Sequence, residues 1–208
     1  MDATRFEQLS LFLKEVIGPD FISIRHQLGE ATLTVYPASI VRVLTILSDH
    51  HKCDFKQLID ITAVDYPSRQ QRFEVVYHLL SLSQNIRLRI KINVEEGSSV
   101  PTSTQVFSCA NWYEREIWDL FGIPFTEHPD LRRILTDYNF SGHPLRKDFP
   151  LTGYTQVRYC EKEGRVVYEP VHLQQEYRSF DFLSPWEGGT LKLSEQNSMP
   201  PQVDISKV

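Results

Sequence analysis

Glu114 and Glu116 stand two positions apart in the run Tyr113-Glu114-Arg115-Glu116-Ile117-Trp118-Asp119-Leu120-Phe121, and a carboxylate pair is a common device for acid–base chemistry. Helical spacing removes that reading. Val106, Ala110, Tyr113, Ile117, Leu120 and Phe121 recur with helical periodicity, and side chains two apart on a helix diverge by about 160°. Glu114 falls at one edge of the apolar face, near Phe107 and Trp118. Glu116 falls at the other, near Cys109 and Trp112, and Arg115 points away from the core on the side of Asp119. All three charges are expected to serve ion pairs or interfaces.

Imidazoles come next. His128 precedes Pro129, His143 lies in Gly142-His143-Pro144-Leu145-Arg146-Lys147-Asp148, and His172 stands further on. Zinc would need a second ligand at HxxxH or carboxylate spacing, and none accompanies them. They are expected to hold turns or to pack at an interface. Arg146 and Lys147 have the charge to clamp a phosphate, but neither GxxxxGKS/T nor GxGxxG occurs in the chain. No GxSxG nucleophile elbow occurs either. Cys53, Cys109 and Cys160 form no CxxC pair, so free thiols are expected, with no iron–sulfur cluster or thiolate zinc site in this chain. Asp60 and Asp65 bracket an apolar run and read as isolated residues at a strand's edge. The stripe Arg87, Arg89, Lys91 reads most simply as a solvated face, the docking of an acidic partner being the alternative.

The elements that must position these residues begin with a helix. Thr4 and Glu7 have capping-box spacing, Leu9, Leu13, Val16 and Ile17 carry the apolar stripe, and Gly18-Pro19 ends it. Strands are expected at 21–24 and 31–36 around the turn Leu28-Gly29-Glu30, then a second helix through Ile40, Val43, Leu44 and Leu47. The apolar run 58–64 suits a strand deep inside a sheet. Residues 72–82 and 85–94 form a hairpin whose alternation sets Phe73, Val75, Tyr77 and Leu79 opposite Val94, Ile92, Ile90 and Leu88. On the other face His78 then meets Arg89, and Val76 meets Lys91. A slip of one residue would turn every apolar side chain to solvent, so the pattern fixes the register. A third helix is expected to start at a Thr102–Gln105 capping box and to stop at Gly122 and Pro124.

The fold class is therefore α+β, a mixed sheet with a central antiparallel hairpin and three helices in residues 1–121. Residues 122–186 hold six prolines and many aromatics with little periodicity. They are expected to form an extended interaction arm that wraps a partner, with a turn or two of helix at 129–135 and a hairpin of 155–160 with 165–169. Residues 187–208 are expected to be a disordered tail. Of the 208 residues, 41% are hydrophobic, and 22 basic residues against 27 acidic ones leave a net charge of −5. That supports a soluble core and speaks against nucleic-acid binding. No apolar run is long enough to span a bilayer, and no targeting signal is visible in the first twenty residues.

The run 114–123, followed by Phe125, His128-Pro129-Asp130-Leu131, Arg133-Ile134-Leu135, Asp137-Tyr138, Phe140 and 142–151, closely resembles the signature of the 30 kDa subunit family of respiratory complex I. The match continues through Tyr168-Glu169-Pro170, Tyr177-Arg178, Phe180-Asp181-Phe182 and Pro185-Trp186. The resemblance implies a subunit of the membrane-extrinsic arm whose C-terminal region embraces the large hydrogenase-like subunit of the quinone module. FMN and iron–sulfur clusters would belong to partner subunits, with no cofactor, metal or catalytic residue in this chain. It implies structural or interface roles for Glu114, Arg115, Glu116, Trp118, Asp119, His128, Arg133, His143, Arg146, Lys147, Asp148, Tyr177 and Trp186. Contact with the membrane would come only through the assembled complex. A stand-alone bacterial subunit on the cytoplasmic side of the inner membrane is expected, the mitochondrial matrix side being the alternative. Related membrane-bound hydrogenases and chloroplast-type quinone reductases keep an equivalent subunit.

Overall fold

The computed structural model describes residues 3–175. They fall into two compact units that meet in sequence between Tyr154 and Thr155; Tyr177, Trp186 and the tail from 187 lie outside the described residues.

In the first unit, α1 (Ala3–Ile17) leads through a 3-10 turn at Gly18–Asp20 into β1 (Phe21–Gln27) and β2 (Glu30–Val35). The helix already includes Thr4, so it starts earlier than the capping-box spacing predicts. Next come α2 (Ile40–Asp49), β3 (Gln57–Asp65), β4 (Phe73–Ser81) and β5 (Ile86–Val94). These strands form one sheet in the order β1-β2-β5-β4-β3. The β2–β5 pair is parallel and the other pairs are antiparallel, so the sheet is mixed.

The central hairpin has the register its alternation dictates: Phe73 faces Val94, Val75 faces Ile92, Tyr77 faces Ile90 and Leu79 faces Leu88. Those eight side chains are buried in a single core cluster with Leu13 and Ile17 of α1 and with Val43, Leu44 and Leu47 of α2. At about 25 cal/mol per Å² of apolar surface removed from water, such a two-sided row is the main source of sheet stability. One expectation is corrected here. The apolar run 58–64 forms an edge strand rather than an interior one; its apolar content is explained by α3 (Ala110–Phe121), which packs against β3.

The approach to α3 also differs from the sequence reading. The helix begins at Ala110, with no side-chain cap at Cys109, and residues 102–109 form turns. The Thr102 hydroxyl is used elsewhere, donating to the Glu114 carboxylate rather than capping a helix start. At the other end Gly122 takes φ 75° and its N–H donates to the Trp118 carbonyl, the left-handed cap that glycine accepts without strain. Short strands β6 (Val100–Pro101) and β7 (Phe125–Thr126) then pair in parallel.

Residues 129–135 form no helix. The whole stretch 122–154 belongs to the first compact unit. The described part of the second unit is the hairpin of β8 (Thr155–Cys160) and β9 (Arg165–Pro170), where the sequence analysis expects one. Its pairs Val157–Tyr168 and Tyr159–Val166 lie directly opposite one another, and all four side chains are exposed.

Candidate functional site

Three carboxylates with fully buried side chains, Asp65, Glu114 and Asp119, organise the candidate site. A buried carboxylate is tolerated only where its oxygens are saturated with donors or a cation, so each of these reveals what it holds in place.

Asp119 lies in the last turn of α3. Its Oδ2 accepts from the main-chain N–H groups of Ile134, Leu135 and Thr136 at 3.1, 2.8 and 2.9 Å. Its Oδ1 accepts from the Thr136 hydroxyl and from Arg133 Nη1, the latter at 2.8 Å. Burial alone would raise this carboxyl's pKa; the donors of Thr136, Leu135 and Ile134 outweigh it and hold the group well below the usual carboxylate range. Arg133 also reaches the Gly142 carbonyl at 3.2 and 3.1 Å through two guanidinium nitrogens. Its guanidinium lies within 6 Å of both the Trp118 and Phe140 rings, at 5.8 and 5.7 Å.

The end of α3 is closed by the segment Gly142-His143-Pro144-Leu145-Arg146. A helix leaves its last four carbonyls without internal partners. Here the Trp118 carbonyl accepts from Gly122 N–H at 2.9 Å and the Leu120 carbonyl from Leu145 N–H at 3.0 Å. The Asp119 carbonyl accepts from His143 Nδ1–H at 2.9 Å and the Phe121 carbonyl from Arg146 Nε at 2.6 Å. Since a carbonyl can only accept, His143 carries its proton on Nδ1. The Arg146 charge is favourable at a helix C-terminus. Arg146 Nη1 also pairs with Glu96 at 2.8 Å.

Asp65 ends β3. Arg72 grips it through two nitrogens at 2.8 and 2.9 Å, and the Lys147 main-chain N–H donates to it at 2.7 Å. Arg72 above all, then the Lys147 N–H, lower its pKa against the opposing effect of burial. Arg72 further reaches Glu96 at 3.1 Å and Asp148 at 3.0 Å. Asp65 was expected to be an isolated strand-edge residue; it is an anchor. The signal was present in its position, since it continues the core-facing alternation Ile61, Ala63, Asp65, and Arg72 stands just before its cross-strand neighbour Phe73. Of the basic pair read as a possible phosphate clamp, Arg146 is engaged with Phe121 and Glu96, while Lys147 contributes its main chain to Asp65.

Glu114 accepts from Ser103 N–H at 2.7 Å, the Ser103 hydroxyl at 2.6 Å and the Thr102 hydroxyl at 2.5 Å. His128 Nε2 lies 4.0 Å away, but its hydrogen bond goes to the Asn111 carbonyl at 3.1 Å, while Nδ1 accepts from Asp130 N–H at 3.1 Å. Those two bonds require the Nε2–H tautomer. The buried Tyr77 hydroxyl has no hydrogen-bond partner among the described residues; burial, then the charge of Glu114, pushes its pKa up. Neither Thr102 nor Ser103 was legible as a partner of Glu114, because no periodic pattern links a turn to the helix that follows it.

Arg115 also departs from expectation. It is buried rather than turned away from the core, and its guanidinium donates to the carbonyls of Arg132 and Arg133 at 3.2 Å each. The strap of residues 127–154 covers that side of α3, which no helical wheel drawn for an isolated helix includes. Glu116 is half-buried and makes no hydrogen bond or ion pair among the described residues. The carboxylates of Glu114 and Glu116 thus serve different surroundings, as the helical geometry requires. Among the described residues no group of three or more His, Cys, Asp or Glu side chains is placed to hold a metal ion, and no helix is long and apolar enough to cross a membrane.

The fold is an α+β domain that spends its buried charges on holding down a C-terminal strap, and the relatives of the chain are subunits of respiratory assemblies. The model of the family described as respiratory-chain NADH dehydrogenase, 30 Kd subunit, matches residues 33–155, and the chain belongs to that family. It is 56% identical over 183 residues to the C subunit of the NADH-quinone oxidoreductase of Paramagnetospirillum magneticum, covering 88% of this chain and 92% of that one. The protein of the same name from Agrobacterium fabrum is 56% identical over 180 residues, 86% of this chain and 90% of that one. A chain in the structure of a membrane-bound sulfane sulfur reductase, an archaeal respiratory membrane complex, aligns with TM-score 0.61 at 25% identity. That alignment covers 71% of this chain and 86% of the other.

Proposed function

We propose that this chain is a non-catalytic structural subunit in the peripheral arm of proton-pumping NADH:quinone oxidoreductase. In that reading FMN and iron–sulfur clusters of partner subunits carry electrons from NADH to quinone, and this chain holds those subunits in register. Its principal partner is the large hydrogenase-like subunit of the quinone module, engaged by residues 122–186. The assembly lies on the cytoplasmic side of a bacterial inner membrane, with the mitochondrial matrix side as the alternative.

The observation that carries the reading is the distribution of exposed apolar side chains. Among the described residues six large ones lie before residue 112 and eleven from Trp112 onward. Tyr138 is 96% and Leu151 84% exposed, yet both belong to a segment pinned by buried carboxylates. Rigid, exposed aromatic and aliphatic side chains are what a permanent interface uses as anchors. Glu114, Asp119, Arg133, His143 and Arg146 act in this reading as positioning residues for that surface; Tyr177 and Trp186, outside the described residues, keep the interface role that their motifs imply. The 56% identity to quinone oxidoreductase subunits, against 25% to the sulfur reductase chain, favours the NADH enzyme over a related respiratory complex.

The test is a tagged pull-down from mildly solubilised membranes, with mass spectrometry and flavin and iron–sulfur spectra of the eluate. Co-elution of a multisubunit NADH–quinone oxidoreductase is the expected outcome. A lone, spectrally silent chain, recovered where the complex stays intact, would contradict the proposal.

A further inference from the structure

The sheet has a second face, turned away from the core, that the strap does not use. Register sets its side chains in rows. Arg25, Thr32, Arg89 and His78 stand side by side across β1, β2, β5 and β4, and Ser23, Thr34, Lys91 and Val76 form the adjacent row. Arg25, Thr32 and Arg89 of the first row and Ser23, Thr34 and Lys91 of the second line a hollow of about 620 Å³. It carries the hydroxyls of Ser23, Thr32 and Thr34, and four cations, Arg25, Arg69, Arg89 and Lys91, against the carboxylates of Glu30 and Glu74.

Two features set this hollow apart from an ordinary solvated face. The chain as a whole carries a net charge of −5, so four cations against two carboxylates make a local reversal of sign. Most of the cations are also held in place. Arg89 pairs with Glu30 at 2.5 Å and Lys91 with Glu74 at 2.7 Å. Arg69 stacks on the Tyr66 ring at 3.6 Å and lies 3.6 Å from Glu74. Arg25, by contrast, is exposed and makes no hydrogen bond or ion pair among the described residues. Positioned cations with spare donors bind carboxylates at little ordering cost. The hydroxyls offer hydrogen bonds to a main chain, and the only apolar side chains of the lining, Ile22 and Leu28, are too few for the groove an amphipathic helix needs.

We propose that this hollow docks an acidic polypeptide segment of a neighbouring protein, whose Asp or Glu carboxylates engage Arg25, Arg69 and Arg89. The site is independent of the strap and of the partner assigned to it. Charge complementarity of this kind chooses the partner and speeds encounter, and it weakens with salt.

The full chain is titrated with a fluorescently labelled octaglutamate peptide, with phosphatidylglycerol vesicles and a single-stranded oligonucleotide as competing probes. Octaglutamate binding that falls with added NaCl is expected. Arg25→Glu should weaken it about tenfold, a factor of the size that rim charges produce, and Arg25→Glu with Arg69→Glu should weaken it further. Lys56→Glu, in the first unit but outside the hollow, should leave it unchanged. Arg25 has no partner to lose, so its single variant keeps the fold, which near-ultraviolet circular dichroism verifies. Equal binding by the Arg25→Glu variant overturns the proposal, as does absence of peptide binding or tighter binding of vesicles or oligonucleotide than of peptide. In the assembled complex, a photo-crosslinking residue at Thr34 should capture an acid-rich segment of another chain. An intact complex that yields no protein adduct at Thr34 counts equally against the proposal.

Discussion

His143 donates from Nδ1 to the main-chain carbonyl of Asp119 at 2.9 Å, while the carboxylate of the same Asp119 gathers the N–H groups of residues 134–136. One residue of α3 is thus held through its main chain by one turn of the strap and holds another turn through its side chain. Loss of Asp119 should therefore be felt along the whole strap.

Asp119→Ala leaves a half-buried Arg133 without its carboxylate and three N–H groups without their acceptor. Removing one partner of a buried charged pair costs about 3–5 kcal/mol, so the urea midpoint of the isolated chain should fall by a matching amount. Glu116→Ala, which removes no ion pair, should stay within about 0.5 kcal/mol of the parent. Equal losses in the two variants would refute the anchoring role of Asp119.

Acid should loosen the strap. Asp65 and Asp119 both have pKa values lowered by folding, so their contribution is present above the unfolded carboxylate value of about 4 and is lost as pH falls through the folded values. The share of stability owed to these two carboxylates should be level from pH 7 to about 5 and decline below about 4; His78, whose pKa burial lowers, adds a separate loss as pH falls below the ordinary imidazole value. In Asp65→Asn the decline should be shallower, because one of the depressed groups no longer titrates. Urea titrations at a series of pH values measure the slopes; parallel curves would exclude Asp65 as a contributor.

Gly122 sits where the strap presses on the helix end. A Cβ there would lie 2.5 Å from His143 Nε2 and 2.6 Å from Arg146 Nη2, on a backbone with φ +75°. Gly164, at φ +62°, has nothing within 4 Å of its Cβ position. Gly164→Ala should cost only the left-handed backbone strain, about 1 kcal/mol. Gly122→Ala should cost at least twice that, and its His143 imidazole resonances should shift. Similar stability losses in the two variants would mean that the strap yields freely at this point.

Limited proteolysis distinguishes the two parts of the expected arm. Of the sites in the described residues, trypsin should cut Arg158, Lys162 or Arg165 before those of the strap, since a two-stranded hairpin is by itself at best marginally stable. Arg133 and Arg146, tied to Asp119 and Phe121, should be cut later. Early cleavage at Arg133 would show that the strap is not folded before assembly.

The parts of the fold legible in the sequence are those where a single period decides the outcome. The β4–β5 register follows from strict alternation, because Tyr77 and Ile90 can both be buried in only one pairing. The stop of α3 follows from the need for a left-handed residue at Gly122. What was hidden depends on chain that returns from far away. Arg115 looks solvent-facing until residues 132–133 cover it. Asp65 looks isolated until Lys147, 82 residues on, reaches it. Thr102-Ser103 has the chemistry of a helix cap and is claimed instead by the buried Glu114. Local propensity was outcompeted at each of these places by the demand of a buried charge for donors.

The closure of α3 by residues 143–146 also has a consequence in time. A ribosome delivers Phe121 well before Arg146, and the carbonyls of Asp119, Leu120 and Phe121 have their partners only when the later segment arrives. Until then the last turn of the helix must fray against water, and closing a loop of this length costs entropy that grows only slowly with its size. Helix end and strap therefore gain order in one late, cooperative step, and in native-state hydrogen exchange the amides of Gly122 and Leu145 should open together. The surface that carries Tyr138 and Leu151 is thus finished after the sheet, so a nascent chain presents its sticky side only once the domain that supports it is already built.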